Sequence, residues 1–116
     1  MSDTPLIDAA ILDDMIEHIG SAALRPVIDL FLDETRRLSA AIVDGANSPT
    51  GREAARRAAH SLKSSSGQLG AAALSEAVAE IERAAEAGEP LGERAAAVAR
   101  LATATIAAFT ERLRVA

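Results

Sequence analysis

The apolar residues of the chain recur every three or four positions, which is the period of an α-helix. In the first segment, residues 8–19, this spacing predicts one helix, with Asp8 as its N-cap and Gly20 as its end. The apolar positions of this segment are Ile11, Leu12, Met15, Ile16 and Ile19. Because the periodicity and both end signals agree, a short N-terminal helix is expected.

The same spacing continues in a longer segment, which predicts a second helix over about residues 22–43. Ser21 is placed to cap this helix, and Gly45 to end it. Pro26 is compatible with a helix only near its start, where the missing N–H costs little. The polar stretch 44–50 that follows contains Asn, Ser and Pro, so it is predicted to be a linker.

A third helix is predicted over about residues 51–69. Thr50 and Glu53 have the spacing of a capping box, in which the two side chains satisfy each other's backbone N–H groups. Gly70 follows the last apolar position and is a plausible C-terminal stop.

Two more helices are predicted, one over about residues 72–87 and one from near Pro90 to about Val115. Gly88 separates them. Short connections between consecutive helices favour antiparallel neighbours. The fold class predicted is therefore all-α.

The predicted architecture is one domain over residues 1–116. Its segment 21–116 forms an up-and-down antiparallel four-helix bundle, and its segment 1–20 carries the additional short N-terminal helix. The composition agrees, since 49% of the residues are hydrophobic, much of that being Ala, and only 2% are aromatic.

The charge and composition exclude several classes of function. A net charge of -5 and the scarcity of aromatic residues argue against a nucleic-acid partner. The chain has no Cys, which excludes disulfides and thiolate metal sites. It has no apolar run long enough to span a membrane and no N-terminal secretory pattern, so a cytoplasmic location is expected.

The third helix contains the candidate chemistry. Steps of about 100° per residue place His60 opposite a face of small and apolar residues. The residues of that inward face are Ala55, Ala58, Leu62, Ser65, Ser66 and Leu69. Arg56, Lys63, Ser64 and Gly67 fall around His60 on the outward side. The pattern predicts an exposed histidine in mid-helix with cations beside it.

An exposed histidine in this setting suits phosphoryl transfer. A neutral imidazole is a nucleophile near neutral pH and can form a labile phosphohistidine. Lys63 lies one turn further on, where its ammonium can offset phosphate charge. Ser64 and Gly67 weaken the helix, because Gly in a helix interior costs about 1 kcal/mol relative to Ala. Access by a partner protein explains these small outward residues, whereas close helix packing explains only the inward ones.

The stretch 59–71, AHSLKSSSGQLGA, resembles the motif H-x-L-K-G-x-S-x-x-L-G of histidine-containing phosphotransfer (HPt) domains of bacterial multistep phosphorelays. The matching residues are His60, Leu62, Lys63, Ser66, Leu69 and Gly70. The upstream FLDET segment and the downstream ERAAEAG segment also resemble the family. One position departs from the motif, because Ser64 stands where the motif has Gly.

The resemblance implies a phosphocarrier without autonomous kinase activity that shuttles a phosphoryl group between aspartates of receiver domains. His60 would accept the group on its outer ring nitrogen, Lys63 would stabilise the phosphate, and Glu82 would bond the inner ring nitrogen and orient the imidazole. The residues expected to bind the partner are Arg56, Ser64, Gly67 and Gln68. The expected partners are response-regulator receiver domains and a hybrid histidine kinase, with any Mg²⁺ bound by the receiver.

Several alternatives remain at this stage. Glu82 is equally compatible with a surface acid that pairs with a nearby Arg. The same fold can serve as a phosphorylation-independent adaptor, although an adaptor needs neither His60 nor Lys63. A di-metal bundle requires Glu-x-x-His pairs, but Arg57 precedes His60 by three residues. No metal or cofactor is expected, and a monomer is the default because the bundle can bury its own apolar faces.

Overall fold

The computed structural model describes residues 3–114, which contain five α-helices and no strand. The helices are α1 (Ala9–Ile19), α2 (Ser21–Ala46), α3 (Arg52–Leu69), α4 (Ala72–Ala87) and α5 (Gly92–Arg114). The prediction of an all-helical chain is confirmed for the described residues.

Three predicted helix ends form by the expected local chemistry. The Asp8 side chain accepts a hydrogen bond from the Ala10 N–H at the start of α1. Gly70 and Gly88 end α3 and α4 in the left-handed conformation, with φ of +79° and +74°. This conformation lets the chain leave the helix at a residue without Cβ strain.

The ends of α2 differ from the prediction. Ser21 is the first residue of the helix, and Gly20 occupies the N-cap position without a side-chain bond. At the other end, α2 continues through Gly45 to Ala46, so the linker is shorter than predicted. The helix can continue because Gly45 packs directly against Gly51 and Ala55: a Cβ on Gly45 would lie 2.6 Å from the Gly51 carbonyl oxygen.

The predicted capping box of α3 is wrong. Gly51 occupies the N-cap position, and no side chain accepts a hydrogen bond there. The carboxylate of Glu53 instead accepts two hydrogen bonds from Arg56, at 3.0 and 2.6 Å. The close approach of Gly51 to α2 determines where the helix starts, and Thr50 lies outside it.

The last helix begins at Gly92, two residues after the predicted start at Pro90. Its predicted end at Val115 lies outside the described residues. None of the helices in residues 3–114 combines the length and the hydrophobicity that a membrane span requires.

Helices α2 to α5 pack around one main core, with contacts between α2 and α3, α3 and α4, α4 and α5, and α5 and α2. Arg25, near the start of α2, donates to the Leu113 carbonyl near the end of α5. Arg52, at the start of α3, donates to the Glu89 carbonyl just beyond α4. The largest fully buried side chains of the core include Phe109, Leu12, Leu24, Ile28, Ile42, Leu62, Leu74 and Ile81.

The N-terminal segment is joined to the turn between α3 and α4. The Asp8 N–H donates to the Gly70 carbonyl at 2.7 Å, and the Ala73 N–H donates to the Pro5 carbonyl at 2.9 Å. The second bond satisfies a backbone donor in the first turn of α4, which has no partner within the helix. This attachment holds α1 against α2 beside the end of α3.

Candidate functional site

His60 lies in the middle of α3, and its side chain is 65% exposed. The opposite face of the helix is buried, as the helical phase predicted, except at Ser65. The buried residues of that face are Ala55, Ala58, Leu62, Ser66 and Leu69. Ser65 lies at the edge of the buried face and is only partly covered, whereas Ala59, which was not predicted to be inward, is fully buried.

Ser66 is a polar residue in the buried face of α3. Its hydroxyl donates to the Leu62 carbonyl at 2.5 Å, so this buried hydroxyl is satisfied. Gly67 has no such packing explanation. A Cβ added there would meet only the Ser75 hydroxyl, at 3.7 Å, which is an ordinary contact distance.

The residues around His60 differ in exposure. Arg56 and Lys63 are half-buried, with 30% and 40% of their side chains exposed. Ser64, Gly67 and Gln68 are exposed. The two cations therefore lie on the side of α3 that faces α4, and the other three residues lie on the exposed surface of α3.

Glu82 on α4 joins the histidine and the lysine. Its Oε2 lies 2.6 Å from His60 Nδ1, and its Oε1 accepts a hydrogen bond from Lys63 Nζ at 2.5 Å. Only 13% of the Glu82 side chain is exposed, so it is not an ordinary surface acid. With the proton of a neutral imidazole on Nδ1, the ring donates to this carboxylate, and Nε2 keeps a free lone pair.

The charge of Glu82 follows from its partners. The hydrogen bond from Lys63 is the main cause that holds the pKa of Glu82 below its ordinary value; partial burial opposes it, and the His60 contact adds to the lowering. Glu82 is therefore ionised at neutral pH and can accept hydrogen bonds from both side chains.

Arg56 and Glu86 complete the cluster, and sequence reasoning missed the part that Glu86 plays. Arg56 Nη1 lies 4.0 Å from Glu82 Oε2 and 3.9 Å from Glu86 Oε1. Glu86 follows Glu82 by four residues, so both carboxylates lie on the same face of α4. The four-residue spacing was visible in the sequence, but the sequence did not show that Arg56 of α3 lies opposite these two carboxylates.

An apolar groove lies beside the C-terminal half of α3. It is lined by Met15, Val27, Leu30, Phe31, Glu34, Ser65, Gln68 and Leu69. Leu30 and Val27 are 64% and 43% exposed, which is unusual for large apolar side chains. Of the apolar residues of α1, Met15 lines this groove, whereas Leu12 is buried in the core.

The second histidine has different surroundings. His18, in the last turn of α1, is 69% exposed, and its Nδ1 lies 2.7 Å from the Asp14 carbonyl within the same helix. Within residues 3–114, no group of three or more His, Cys, Asp and Glu side chains is arranged to hold a metal ion.

The site is therefore an exposed histidine on a helical bundle, with Nδ1 in contact with a partly buried carboxylate and the other ring nitrogen accessible to solvent. A model of the Hpt domain family matches residues 26–114, and the chain belongs to that family. Hpt domains take part in histidine phosphotransfer in phosphorelays, as phosphocarriers that interact with receiver domains and kinases. No curated protein and no solved structure matches the chain.

Proposed function

We propose that this protein carries a phosphoryl group on His60 Nε2, taking it from an aspartyl phosphate of one receiver domain and passing it to an aspartate of another. The observation that carries the proposal is the contact between His60 Nδ1 and Glu82. In the neutral imidazole with its proton on Nδ1, this contact leaves the Nε2 lone pair free on an exposed side chain, where a partner's active site can approach it.

The transfer step needs no group beyond the two proteins and the receiver's own metal ion. The Nε2 lone pair attacks phosphorus, an N–P bond forms, and the P–O bond to the aspartyl carboxylate breaks. The aspartate leaves as a carboxylate with the bonding electrons. The Nδ1 proton stays on the ring, where ionised Glu82 balances the positive charge that develops on the imidazole. Transfer to a second receiver is the reverse sequence.

Lys63 is proposed to stabilise the phosphoryl group. Its ammonium is held one helical turn from His60 by Glu82, close enough to exchange this carboxylate for the oxygens on phosphorus. A hydrogen bond to a charged group contributes about 1.5–3 kcal/mol, so Lys63→Met is expected to slow transfer by about 10- to 150-fold without abolishing it. An unchanged rate would remove Lys63 from the site.

The proposed docking surface is the exposed face of α3 together with the apolar groove beside it. Arg56, Ser64, Gly67 and Gln68 are its proposed partner-binding residues on α3. The exposed Leu30 side chain supplies apolar area of the kind that interface cores use. Ser64 replaces the motif glycine, but its hydroxymethyl group is small and points outward, so we expect docking to survive.

The finer features of the fold belong to the same proposal. The end-to-end contacts of α2 with α5 and of α3 with α4 support an up-and-down antiparallel arrangement of the four bundle helices. We also expect the protein to act as a monomer, with a hybrid histidine kinase as the origin of the phosphoryl group.

The proposal is tested by transfer from a panel of phosphorylated receiver domains. The wild type should acquire an acid-labile, base-stable label, and His60→Gln should acquire none while keeping its fold. His18→Gln is the matched control, because His18 has the same residue type and a similar exposure, and it should be labelled like the wild type. A folded wild type that takes no label from any receiver would favour the adaptor function instead.

A further inference from the structure

Arg56 is held in one orientation by its own helix. Its Nε and Nη2 donate to the two carboxylate oxygens of Glu53, at 3.0 and 2.6 Å. This bidentate pair leaves Nη1 directed at α4, 4.0 Å from Glu82 and 3.9 Å from Glu86. The hydrogen bond to Glu53 is also the main cause that raises the pKa of Arg56, with smaller contributions from Glu86 and Glu82.

The three carboxylates around Arg56 differ in how much they depend on it. Glu53 and Glu86 are each 62% exposed, so water can solvate and screen them. Glu82 is only 13% exposed, so it depends on protein groups more than the other two do. Its cationic contacts among the described residues are Lys63, at 2.5 Å, and Arg56.

Phosphorylation would change this balance. The proposed role of Lys63 requires its ammonium to move from Glu82 to the phosphoryl oxygens. Glu82 would then lose its nearest cation at the step where its negative charge is needed to hold the Nδ1 proton. Arg56 Nη1 lies near Oε2, which is the oxygen that contacts His60, whereas Lys63 binds Oε1.

We propose that Arg56 is a positioning residue that acts through Glu82: it is the reserve counter-ion that balances the charge of this carboxylate beside His60 Nδ1 when Lys63 moves to the phosphoryl group. The inference rests on the proposed phosphocarrier function and extends it, because Arg56 then serves the reaction from inside the cluster in addition to any contact with a partner. The charged groups of the cluster are Glu53, Arg56 and Lys63 on α3 and Glu82 and Glu86 on α4.

The experiment measures how the His60 ring titrates, by NMR of its ring nitrogens in ¹⁵N-labelled full-length protein. Lys63→Met imitates the departure of the ammonium without any phosphoryl donor. Arg56→Gln is made in the wild type and in the Lys63→Met variant. Arg57→Gln is the matched control, since Arg57 is the exposed neighbour of Arg56 and makes no ion pair with Glu82.

Loss of a cation beside Glu82 should favour the protonated imidazole and raise the titration midpoint of His60. With Lys63 present, Arg56→Gln should raise the midpoint by about 0.2 pH units or less, because Lys63 still neutralises Glu82. In the Lys63→Met variant the same substitution should raise it by about 0.5 units or more. Arg57→Gln should leave it unchanged in both. Equal shifts from Arg56→Gln in the two backgrounds would overturn the reserve role.

A second comparison tests whether the effect passes through the carboxylate. In a Glu82→Gln variant, Arg56→Gln should change the midpoint by no more than Arg57→Gln does. A full shift in that variant would show that Arg56 acts directly on His60 and would overturn the proposal. Arg56→Lys keeps the charge and should restore most of the midpoint in the Lys63→Met background, which separates loss of charge from disturbance of the fold.

This experiment distinguishes the inference from the proposed function on which it rests. No receiver is used in the titration, so failure of receiver transfer with the expected midpoint shifts would reject the phosphocarrier function alone. Normal transfer to His60 with additive midpoint shifts would reject the role of Arg56 alone.

Discussion

Replacing Gly67 with alanine tests two properties of α3 separately: its stability, and the contact of its exposed face with a receiver domain. Gly67 is exposed within the last turn of the helix, where glycine adds backbone freedom to the unfolded chain and contributes no contact. An alanine Cβ at this position would lie 3.7 Å from the Ser75 hydroxyl, so it would fit without displacing a neighbour. The substitution should therefore stabilise the protein.

The expected gain is about 0.5–1 kcal/mol, the difference between Gly and Ala in a helix. With an unfolding entropy of about 2.1 cal/mol/K per residue, a chain of this length should show a rise in Tm of about 2–4 °C. Thermal unfolding followed by circular dichroism measures Tm, and urea denaturation gives the free energy of unfolding. Ser64→Ala, at another exposed position of α3, controls for helix propensity and should gain only a few tenths of a kcal/mol.

A lower Tm for Gly67→Ala would refute this reasoning, because it would mean that α4 lies too close to accept the methyl group. The same variant also tests the docking surface. If a receiver approaches α3 at this position, the added methyl group should slow phosphoryl transfer in a protein that is more stable than the wild type. An unchanged transfer rate would place Gly67 outside the contact, whatever its effect on stability.

Three further predictions concern stability. Gly45→Ala should lower the free energy of unfolding by about 1–3 kcal/mol, since its Cβ would lie 2.6 Å from the Gly51 carbonyl oxygen. Gly92→Ala is the control and should cause no such loss, because a Cβ there would meet nothing within 4 Å. Equal urea midpoints for the two variants would contradict the close approach at Gly45. The pKa of Glu82 is lowered in the folded protein, so its ionised form stabilises the protein above the ordinary pKa of about 4.3. This contribution is lost as the pH falls through the lower folded value. The free energy of unfolding of Glu82→Gln should therefore converge on that of the wild type in acid, and parallel pH curves would argue against this. Thr105→Val should raise the free energy of unfolding by about 1 kcal/mol, because the buried Thr105 hydroxyl has no hydrogen-bond partner among the described residues. Thr35→Val is the control: it removes a hydroxyl that donates to the Phe31 carbonyl, and it should show no such gain in chemical denaturation.

Local sequence chemistry was sufficient for most of the helices and for the phase of α3. The glycines that end α3 and α4 and the aspartate that caps α1 act through bonds to residues within a few positions, so their effect is readable from the chain. The outward direction of His60 followed from helical periodicity for the same reason.

The failed predictions involve contacts between helices. Thr50 has the right spacing for a cap, but the approach of Gly51 to Gly45 moves the start of α3 beyond it. Ser21 lies inside α2 because Gly20, with φ of +83°, turns the chain directly into the helix. In both cases a local signal was overridden by backbone geometry that depends on how two segments meet.

The sequence alone therefore determined which residue of α3 would be exposed and which chemistry its neighbours suit. Only the tertiary structure decided which groups hold that residue. Glu82 lies 22 positions beyond His60, and its distance from Nδ1 depends on the axial position of α4 relative to α3 when both pack on the core. The same packing brings Arg56 to Glu82 and Glu86, because interhelical register is set by the shapes of many side chains at once rather than by the spacing of any two residues.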